Sequence, residues 1–466
     1  MTFALLLLAV YSTALIAVGL WISRYVRDTS AFFVAGRSLT APLLFATVLA
    51  SNIGAGSTVG AAGLAYTDGI SAWWWNGASA IGSIVLAFWV GPKIWKLASD
   101  HNFYTAGDYL EYRYSASVRG VIATLIWLGT LAILAGQLMA GAAVLQVVAG
   151  LPHWAGTLAS AVVMMVYFVA GGLLSSAWVN LVQLIVLVFG LAIAIPVGLS
   201  IVGGVDGVLN GAGLPEHFDQ FWYSSGPGSG WTRLILMGPA FIISPGLLQK
   251  TYGAASERAI RLGLGFQAGV LALFAFVPVI LGATMRTLDP AMTNTNLVLP
   301  TLLGEHLPTG LGALGLAAIF SAEVSTCDAI LFMLSTSLSK DLYKRFVRPD
   351  ATDRDVLRVA RIAAVAGGLG GVALALLLQT VQQALDIFYA LLTVSLAVPV
   401  VGGLYVRRAS TLHAFSAIAA GVATLIVFRT FLASTSRWLD PTLWGLVAAV
   451  VAFTFMLMVR PSRVTS

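Results

Sequence analysis

Long apolar stretches recur along the chain, parted by short polar connectors. They lie at roughly 3–23, 41–66, 72–95, 117–149, 154–173, 177–203, 233–252, 261–287, 309–340, 357–380, 383–406, 411–431 and 441–460. Each is near or above the roughly 20 apolar residues that a helix needs to cross a bilayer. The pattern predicts an all-α integral membrane protein of about 13 transmembrane helices, numbered as spans 1 to 13. Span 2 starts at Pro42 and closes at Tyr66, but its middle is interrupted by the run Ala50-Ser-Asn-Ile-Gly-Ala-Gly-Ser-Thr-Val59. Hydrocarbon offers no partner to a freed amide or carbonyl, so such a flaw persists only beside protein or a polar cavity. One reading is a Gly/Ser face for close helix packing. The other is a broken helix whose freed carbonyls hold a cation at bilayer depth.

Span 7 carries a second flaw, with Gly238-Pro239 inside it and Ser244-Pro245-Gly246 beyond. Proline removes an amide donor and clashes with the preceding turn, so span 7 is expected to kink or split. Paired interruptions at matching positions of opposed halves mark the binding centres of inverted-repeat transporters. Spans 2–6 (41–203) and 7–11 (233–406) then form two five-helix units, entered from opposite sides because five is odd. This repeat rests on spacing, with no residue-level identity between the halves. Residues 1–40 add a helix and an inner loop, and 411–460 add two C-terminal helices, within one transmembrane transporter domain over 1–466. The 204–232 connector, with its Gly226-Pro-Gly-Ser-Gly230 run, reads as a flexible external loop.

Composition agrees: 59% of the 466 residues are hydrophobic, 9% are charged, and the mean hydropathy is +0.91, which excludes a soluble globular protein. The net charge of +6 does not point to nucleic acid. With the N-terminus outside, all but Arg233, Arg286, Arg429 and Arg437 of the 25 lysines and arginines fall in inner connectors. That asymmetry is an orientation signal, giving a multi-pass plasma (inner) membrane protein with its C-terminus in the cytoplasm. Span 1 lacks a basic n-region and a small-residue cleavage site, so it reads as a retained helix. The single cysteine, Cys327, falls inside span 9 and forms no intrachain disulfide. The absence of an Asn-x-Ser/Thr sequon favours a prokaryotic source. His101, His153, His217, His306 and His413 are scattered, and no HExxH, GxSxG or Walker pattern occurs, so an enzyme is not expected. No obligate protein partner is evident; the expected partners are the bilayer, an ion and a small solute.

Several separate motifs resemble the sodium:solute symporter family, and together they cover nearly the whole chain. Phe33-Val-Ala-Gly-Arg-Ser-Leu39 precedes the first broken span, and Tyr104-Thr-Ala-Gly-Asp-Tyr-Leu-Glu-Tyr-Arg-Tyr114 is similar to the family's inner-loop signature. Gly171-Gly-Leu with Trp178-Val-Asn-Leu-Val-Gln183 resembles the start of its sixth helix. Leu248-Gln-Lys, Ser256-Glu-Arg258, Gly310-Leu, Ala317-Ala-Ile-Phe, Ser325-Thr326 and Lys340-Asp-Leu-Tyr-Lys344 follow in the family's order. The resemblance implies a 5+5 inverted repeat of the LeuT type with extra terminal helices. It also implies sodium-coupled symport of a small organic solute by alternating access; the subfamily is not assigned.

In span 9, Ala322, Ser325 and Thr326 fall at i, i+3 and i+4, so one face offers a carbonyl and two hydroxyls. The bland alternative is that both hydroxyls bond back one turn earlier. The resemblance pairs this face with the Ala50 and Ile53 carbonyls as a five-oxygen Na+ site. It also marks a departure, because the family commonly has an acid in its sixth helix where this chain has Asn180. Asp328 lies three residues after Ser325, where relatives with a second cation site offer a hydroxyl. A carboxylate inside a membrane is expensive and usually functional. Asn180 and Asp328 are therefore candidates for a second ion site or the inner release path, against a purely structural bond between them.

The solute is expected beside the two breaks, with Asn52, Gly56, Ser57, Trp74, Trp75, Gln137, Glu323, Asp386 and Tyr389 as candidates. Compared with sugar-carrying relatives, Ser57 and Gly56 follow the break, Trp74 replaces an acid and Tyr389 replaces a glutamine, so a hexose is not expected. Aromatic rings around sparse carboxylates favour an organic cation or zwitterion through cation–π attraction. The tryptophans also fit an interfacial belt, and Glu323 lies about 100° around the helix from Ala322, so it need not share that cavity. Proton coupling, a carboxylate or other metabolite, and a transporter-like sensor are the alternatives.

Overall fold

The computed structural model describes residues 2–22, 34–170, 173–210, 214–222, 230–432 and 440–459. Arg24, Arg27, Phe33, Gly171-Gly172, the 226–229 part of the glycine-rich run, Arg437, Arg460 and Arg463 lie outside the described residues. The longer helices in the first part of the chain are α1 (Thr2–Ile22), α2 (Ala41–Asn52), α3 (Ala61–Asp68), α4 (Trp73–Val85), α5 (Gly91–His101), α6 (Ala106–Arg113), α7 (Ala116–Ala149), α8 (His153–Ala170), α9 (Leu173–Ala192) and α10 (Ala194–Ile201). The second part holds α11 (Gly230–Ile243), α12 (Pro245–Tyr252), α13 (Glu257–Phe274), α14 (Phe276–Leu288), α15 (Thr309–Thr336), α16 (Asp353–Leu377), α17 (Val381–Tyr405), α18 (Thr411–Val427) and α19 (Pro441–Val459). No strand occurs among the described residues, only an isolated bridge between Leu39 and Ala254.

Ten helical runs among the described residues are long and apolar enough to cross a membrane. One of them, 56–101, is divided at Gly69, whose φ of +70° is open to glycine and strained for other residues, so the chain turns back there from α3 into α4. Shorter apolar helices cover Phe3–Ala14 and Ala41–Asn52, so the expectation of about 13 spans is finer than these ten. Large apolar side chains face outward, including Phe189, Phe266, Leu273 and Val451, as lipid requires.

Both expected interruptions are present. Span 2 is split into α2 and α3, and span 7 into α11 and α12, with Pro239 also inside α11. The entry to the first broken segment is pinned to the exit of the second: Leu39 N donates to Gly253 O and Ala255 N donates to Leu39 O, each at 2.9 Å. Around them α15 is almost wholly buried and packs against α1, α2, α7, α9 and α16. α11 packs on α4 and α17, and α14 packs on α3. Lipid tails are as apolar as leucine, so close packing and internal hydrogen bonds, not water exclusion, hold these contacts.

Candidate ion and solute site

The first break begins where the backbone leaves helical geometry at Ile53 (φ −96°, ψ 87°). Ile53 N still donates to Leu49 O at 3.0 Å. Thr58 N then reaches Gly54 O at 3.0 Å, and Gly60 N reaches Ala55 O at 2.8 Å, through one wide turn. Groups orphaned in between find partners on two other helices. Ala55 N donates to Gln137 Oε1 of α7 at 2.8 Å. The Ser325 hydroxyl of α15 lies 2.8 Å from both Ala50 O and Ala322 O, and Thr326 Oγ1 lies 3.5 Å from Ala50 O. A Cβ on Gly54 would sit 2.4 Å from Thr326 Oγ1 and 2.7 Å from Gln137 Oε1, so only glycine lets the three elements close.

Ala50, Ala322, Ser325 and Thr326 are thereby brought together. Ile53 is buried at the same helix end, and no hydrogen bond among the described residues joins its carbonyl to that face. The cluster is made of neutral carbonyl and hydroxyl oxygens, the donor set that replaces the hydration shell of a hard monovalent cation. These residues fit sodium.

A cavity adjoins the break. Of the expected solute residues, Asn52, Gly56, Ser57, Trp75, Gln137 and Tyr389 line it. Trp75 and Tyr389 meet edge-on with ring centroids 6.0 Å apart, and Phe241 tilts against Tyr389 at 5.7 Å. Ser57 Oγ donates to Asn52 O at 2.6 Å, and Asn76 Nδ2 donates to Ser57 O at 3.1 Å. Asn52 Nδ2 is buried with no protein partner. A Cβ on Gly56 would fall 2.1 Å from Leu385 Cδ2, so the leucine seals the wall there.

Three of the expected solute residues are not brought to this wall. Trp74 donates to Phe221 O at 2.9 Å and packs edge-on against Trp222 at 4.5 Å, in the connector before α11. Glu323 is fully buried and points at Gly141 of α7, where an added Cβ would lie 3.0 Å from its Oε2 and 2.4 Å from Ser160 Oγ. Asp386 accepts from Gln382 Nε2 at 3.0 Å and faces Arg233 at 3.5 Å. The Arg233 guanidinium in turn lies over the Trp75 ring, 5.3 Å from its centre. Asn180 and Asp328 are both buried, and Asn180 Nδ2 donates to Thr47 Oγ1 at 3.2 Å.

The structure also moves two residues that the charge pattern placed in connectors. Lys250 is 3% exposed, lines the cavity and donates from Nζ to Thr47 O at 2.8 Å. Arg119 is 7% exposed and pairs with Asp108 (2.8 Å), Glu111 (3.0 Å) and Asp341 (2.7 Å), tying α6 and α7 to the chain beyond α15. Burial raises the Glu111 carboxyl, but Arg345 and Arg119 outweigh it and hold it below its ordinary value. Phe241 and Leu385 also line the cavity without a signal in the sequence, since apolar lining and apolar core look alike there.

The profile of the family described as "Sodium:solute symporter family" matches residues 32–421. A sodium/glucose cotransporter of Vibrio parahaemolyticus is 25% identical over 97% of this chain and 89% of its own. A sodium/pantothenate symporter of Escherichia coli is 27% identical over 86% of this chain and 84% of its own. In fold, the chain is similar to a solved Na+-coupled sialic acid symporter in a substrate-bound outward-open state, with a TM-score of 0.83, 18% identity and 99% of both chains covered. The all-α, LeuT-type fold that the family resemblance implies is therefore the fold of this chain.

Proposed function

The chain belongs to the sodium:solute symporter family, and on that premise we propose that sodium binds at the first break and drives uptake of a small, partly apolar solute bearing hydrogen-bond acceptors. It is a multi-pass membrane transporter, not an enzyme. The observation that carries the ion reading is the meeting of Ala50 O, Ala322 O, the Ser325 hydroxyl and the Thr326 hydroxyl at the flaw in span 2. Ile53, one residue past α2, supplies the fifth oxygen in this reading. Sodium would clamp α2 to α15, completing the cavity while it faces outward.

The solute class follows from the cavity wall. Lys250 is its one charged residue among the described residues, and no carboxylate lines it. An organic cation would meet no counter-charge there, since Glu323 points at Gly141 of α7 and Asp386 faces Arg233, both away from this wall. Asn52 Nδ2 presents a buried donor without a protein partner, which suits a carbonyl, hydroxyl or carboxylate of the solute. Trp75, Phe241 and Tyr389 would cover an apolar portion. A neutral or carboxylate-bearing solute is therefore preferred over the cation or zwitterion that the sequence favoured.

With the N-terminus outside, sodium entry moves positive charge inward, favoured by about 2.3 kcal/mol per charge per 100 mV. Uptake into proteoliposomes under an imposed sodium gradient, using a panel of carboxylates, neutral polyols and quaternary amines, tests the whole reading. Sodium-dependent accumulation of a carboxylate or neutral compound is expected. Accumulation of quaternary amines alone rejects the solute class, and accumulation driven equally well without sodium rejects the coupling.

A further inference from the structure

Away from the ion cluster and the solute cavity, a basic cluster forms where two distant helix ends meet. α4 passes through a wide turn at Leu86–Val90 into α5, and α17 ends at Tyr405. Tyr405 joins the two: its hydroxyl donates to Trp89 O at 3.1 Å, and Lys93 Nζ lies 3.8 Å from the centre of its ring. Lys96 stands one turn beyond Lys93 on the same face of α5. Past Tyr405 the chain folds around Arg113 of α6, which donates to Gly403 O at 2.8 Å, Val406 O at 2.6 Å and Ala409 O at 2.9 Å. Those bonds fix the turn and leave the Arg407 and Arg408 side chains exposed beside Tyr405. Among the described residues no carboxylate forms a salt bridge with Lys93, Lys96 or Arg407, and Asp100, the one acid of α5, forms none. On the membrane side of Lys93, Phe88 and Trp89 are 44% and 58% exposed. Phe88 packs on α13 at Gly265, next to the exposed Phe266.

We propose that this cluster holds the headgroup phosphate of an anionic phospholipid, whose acyl chains lie along Trp89 and Phe88. The proposal depends on neither the ion nor the solute. With the N-terminus outside, this is the cytoplasmic face, where basic pockets between transmembrane helices suit anionic headgroups. The order of groups with depth is that of a phospholipid: cations outermost, then the Tyr405 ring at the level where aromatic belts lie, then the exposed apolar side chains. A soluble anion would use the cations and leave the apolar strip unused, whereas a lipid uses both. Lys93 follows the third apolar span and Arg407 the eleventh, so a phosphate between them would hold α5 against the end of α17. It would thereby reinforce the single bond from Tyr405 to Trp89.

Native mass spectrometry of the purified full-length chain in detergent, with equimolar dioleoylphosphatidylglycerol and dioleoylphosphatidylcholine, tests this without knowledge of the solute. Wild type is expected to retain phosphatidylglycerol in preference to phosphatidylcholine by about tenfold or more. Lys93→Gln combined with Arg407→Gln is expected to bring the two lipids to within about twofold of each other. Arg358→Gln combined with Arg361→Gln removes the same charge from α16, on the same side of the membrane, and is expected to leave the preference unchanged. Equal retention of both lipids by wild type overturns the proposal. So does an equal loss in the two double variants, which would show a diffuse attraction rather than a site. Displacement of the lipid by excess inorganic phosphate would show a site for free anions and overturns it as well. Should the first double variant fail to fold, Arg407→Gln alone decides: a loss of about threefold or more is expected, and an unchanged preference overturns the proposal.

Discussion

The two breaks are built on different principles. In the first, between α2 and α3, the orphaned backbone is completed from outside: Gln137 of α7 takes the Ala55 amide, and Ser325 and Thr326 of α15 approach the Ala50 carbonyl. The second, between α11 and α12, needs little outside help. Ser244 alone leaves helical geometry (φ −52°, ψ 125°), its amide still reaches Ala240 O at 2.8 Å, and Leu248 N reaches Ser244 O at 2.9 Å. Pro245 starts α12 at a position where an amide would have no partner anyway. A break completed by two other helices responds to whatever draws those helices together. One completed by itself is a fixed bend, suited to lining a cavity. The ion is therefore expected to act through the first break and the solute to lean on the second.

The largest effect should come from removing the room in which the first break closes. Gly54→Ala places a methyl 2.4 Å from Thr326 Oγ1 and 2.7 Å from Gln137 Oε1, so α2, α7 and α15 cannot all keep their positions. Overpacking of this kind costs on the order of 1–3 kcal/mol. Sodium-stimulated uptake should fall by roughly 100-fold, the upper end of that range. A variant with near-normal sodium dependence would mean that the three helices do not converge during transport.

Ser325→Ala is milder, because the cluster keeps its three carbonyls and the Thr326 hydroxyl. Loss of one hydroxyl should raise the sodium concentration for half-maximal uptake by roughly tenfold, in line with 1–2 kcal/mol for a buried hydrogen-bonding group. The solute KM at saturating sodium should stay within a factor of about three. Equal damage to both constants would show that Ser325 serves the solute as much as the ion.

Most of the frame was legible from period and punctuation. Apolar runs of bilayer length located the helices, and the two Gly- or Pro-bearing flaws located both breaks. The spacing of Ala322, Ser325 and Thr326 put three oxygens on one face before any partner was known. What stayed hidden depends on where side chains point across helices. Trp73, Trp74 and Trp75 are consecutive, so successive rings point about 100° apart and no sequence rule says which one enters the cavity. In the structure it is Trp75, while Trp74 serves the neighbouring connector and Trp73 donates to Ala272 O at 3.1 Å. Glu323 sits next to Ala322 and was ambiguous for the same reason. Lys250 stands near the end of an apolar stretch, where a lysine ordinarily marks a connector. Only the packing of α12 against α2 and α15 shows it to be buried. Gln137 was legible as polar, but its partner, the Ala55 amide, is 82 residues away.

The smallest expected effect is at the second break, and it is the sharpest test of the asymmetry. In Pro245→Ala the new amide falls at the first position of α12, where helices leave the N–H without an internal partner, so no bond is broken and none is required. The bend itself is kept by the Ser244 bonds to Ala240 and from Leu248, which the substitution does not touch. Some stiffness is lost, because proline fixes its own φ and restricts the residue before it, and such changes are worth about 0.4–1 kcal/mol. Both Ser244 and Gly246 line the cavity, so any loosening should appear in the solute KM, as an increase of about two- to fivefold. Sodium affinity, measured by ²²Na⁺ binding without solute, should not move, because no oxygen of the ion cluster belongs to α11 or α12. If Pro245→Ala weakened sodium as Gly54→Ala is expected to, the second break would be part of the ion clamp, and the division of labour between the two breaks would be lost.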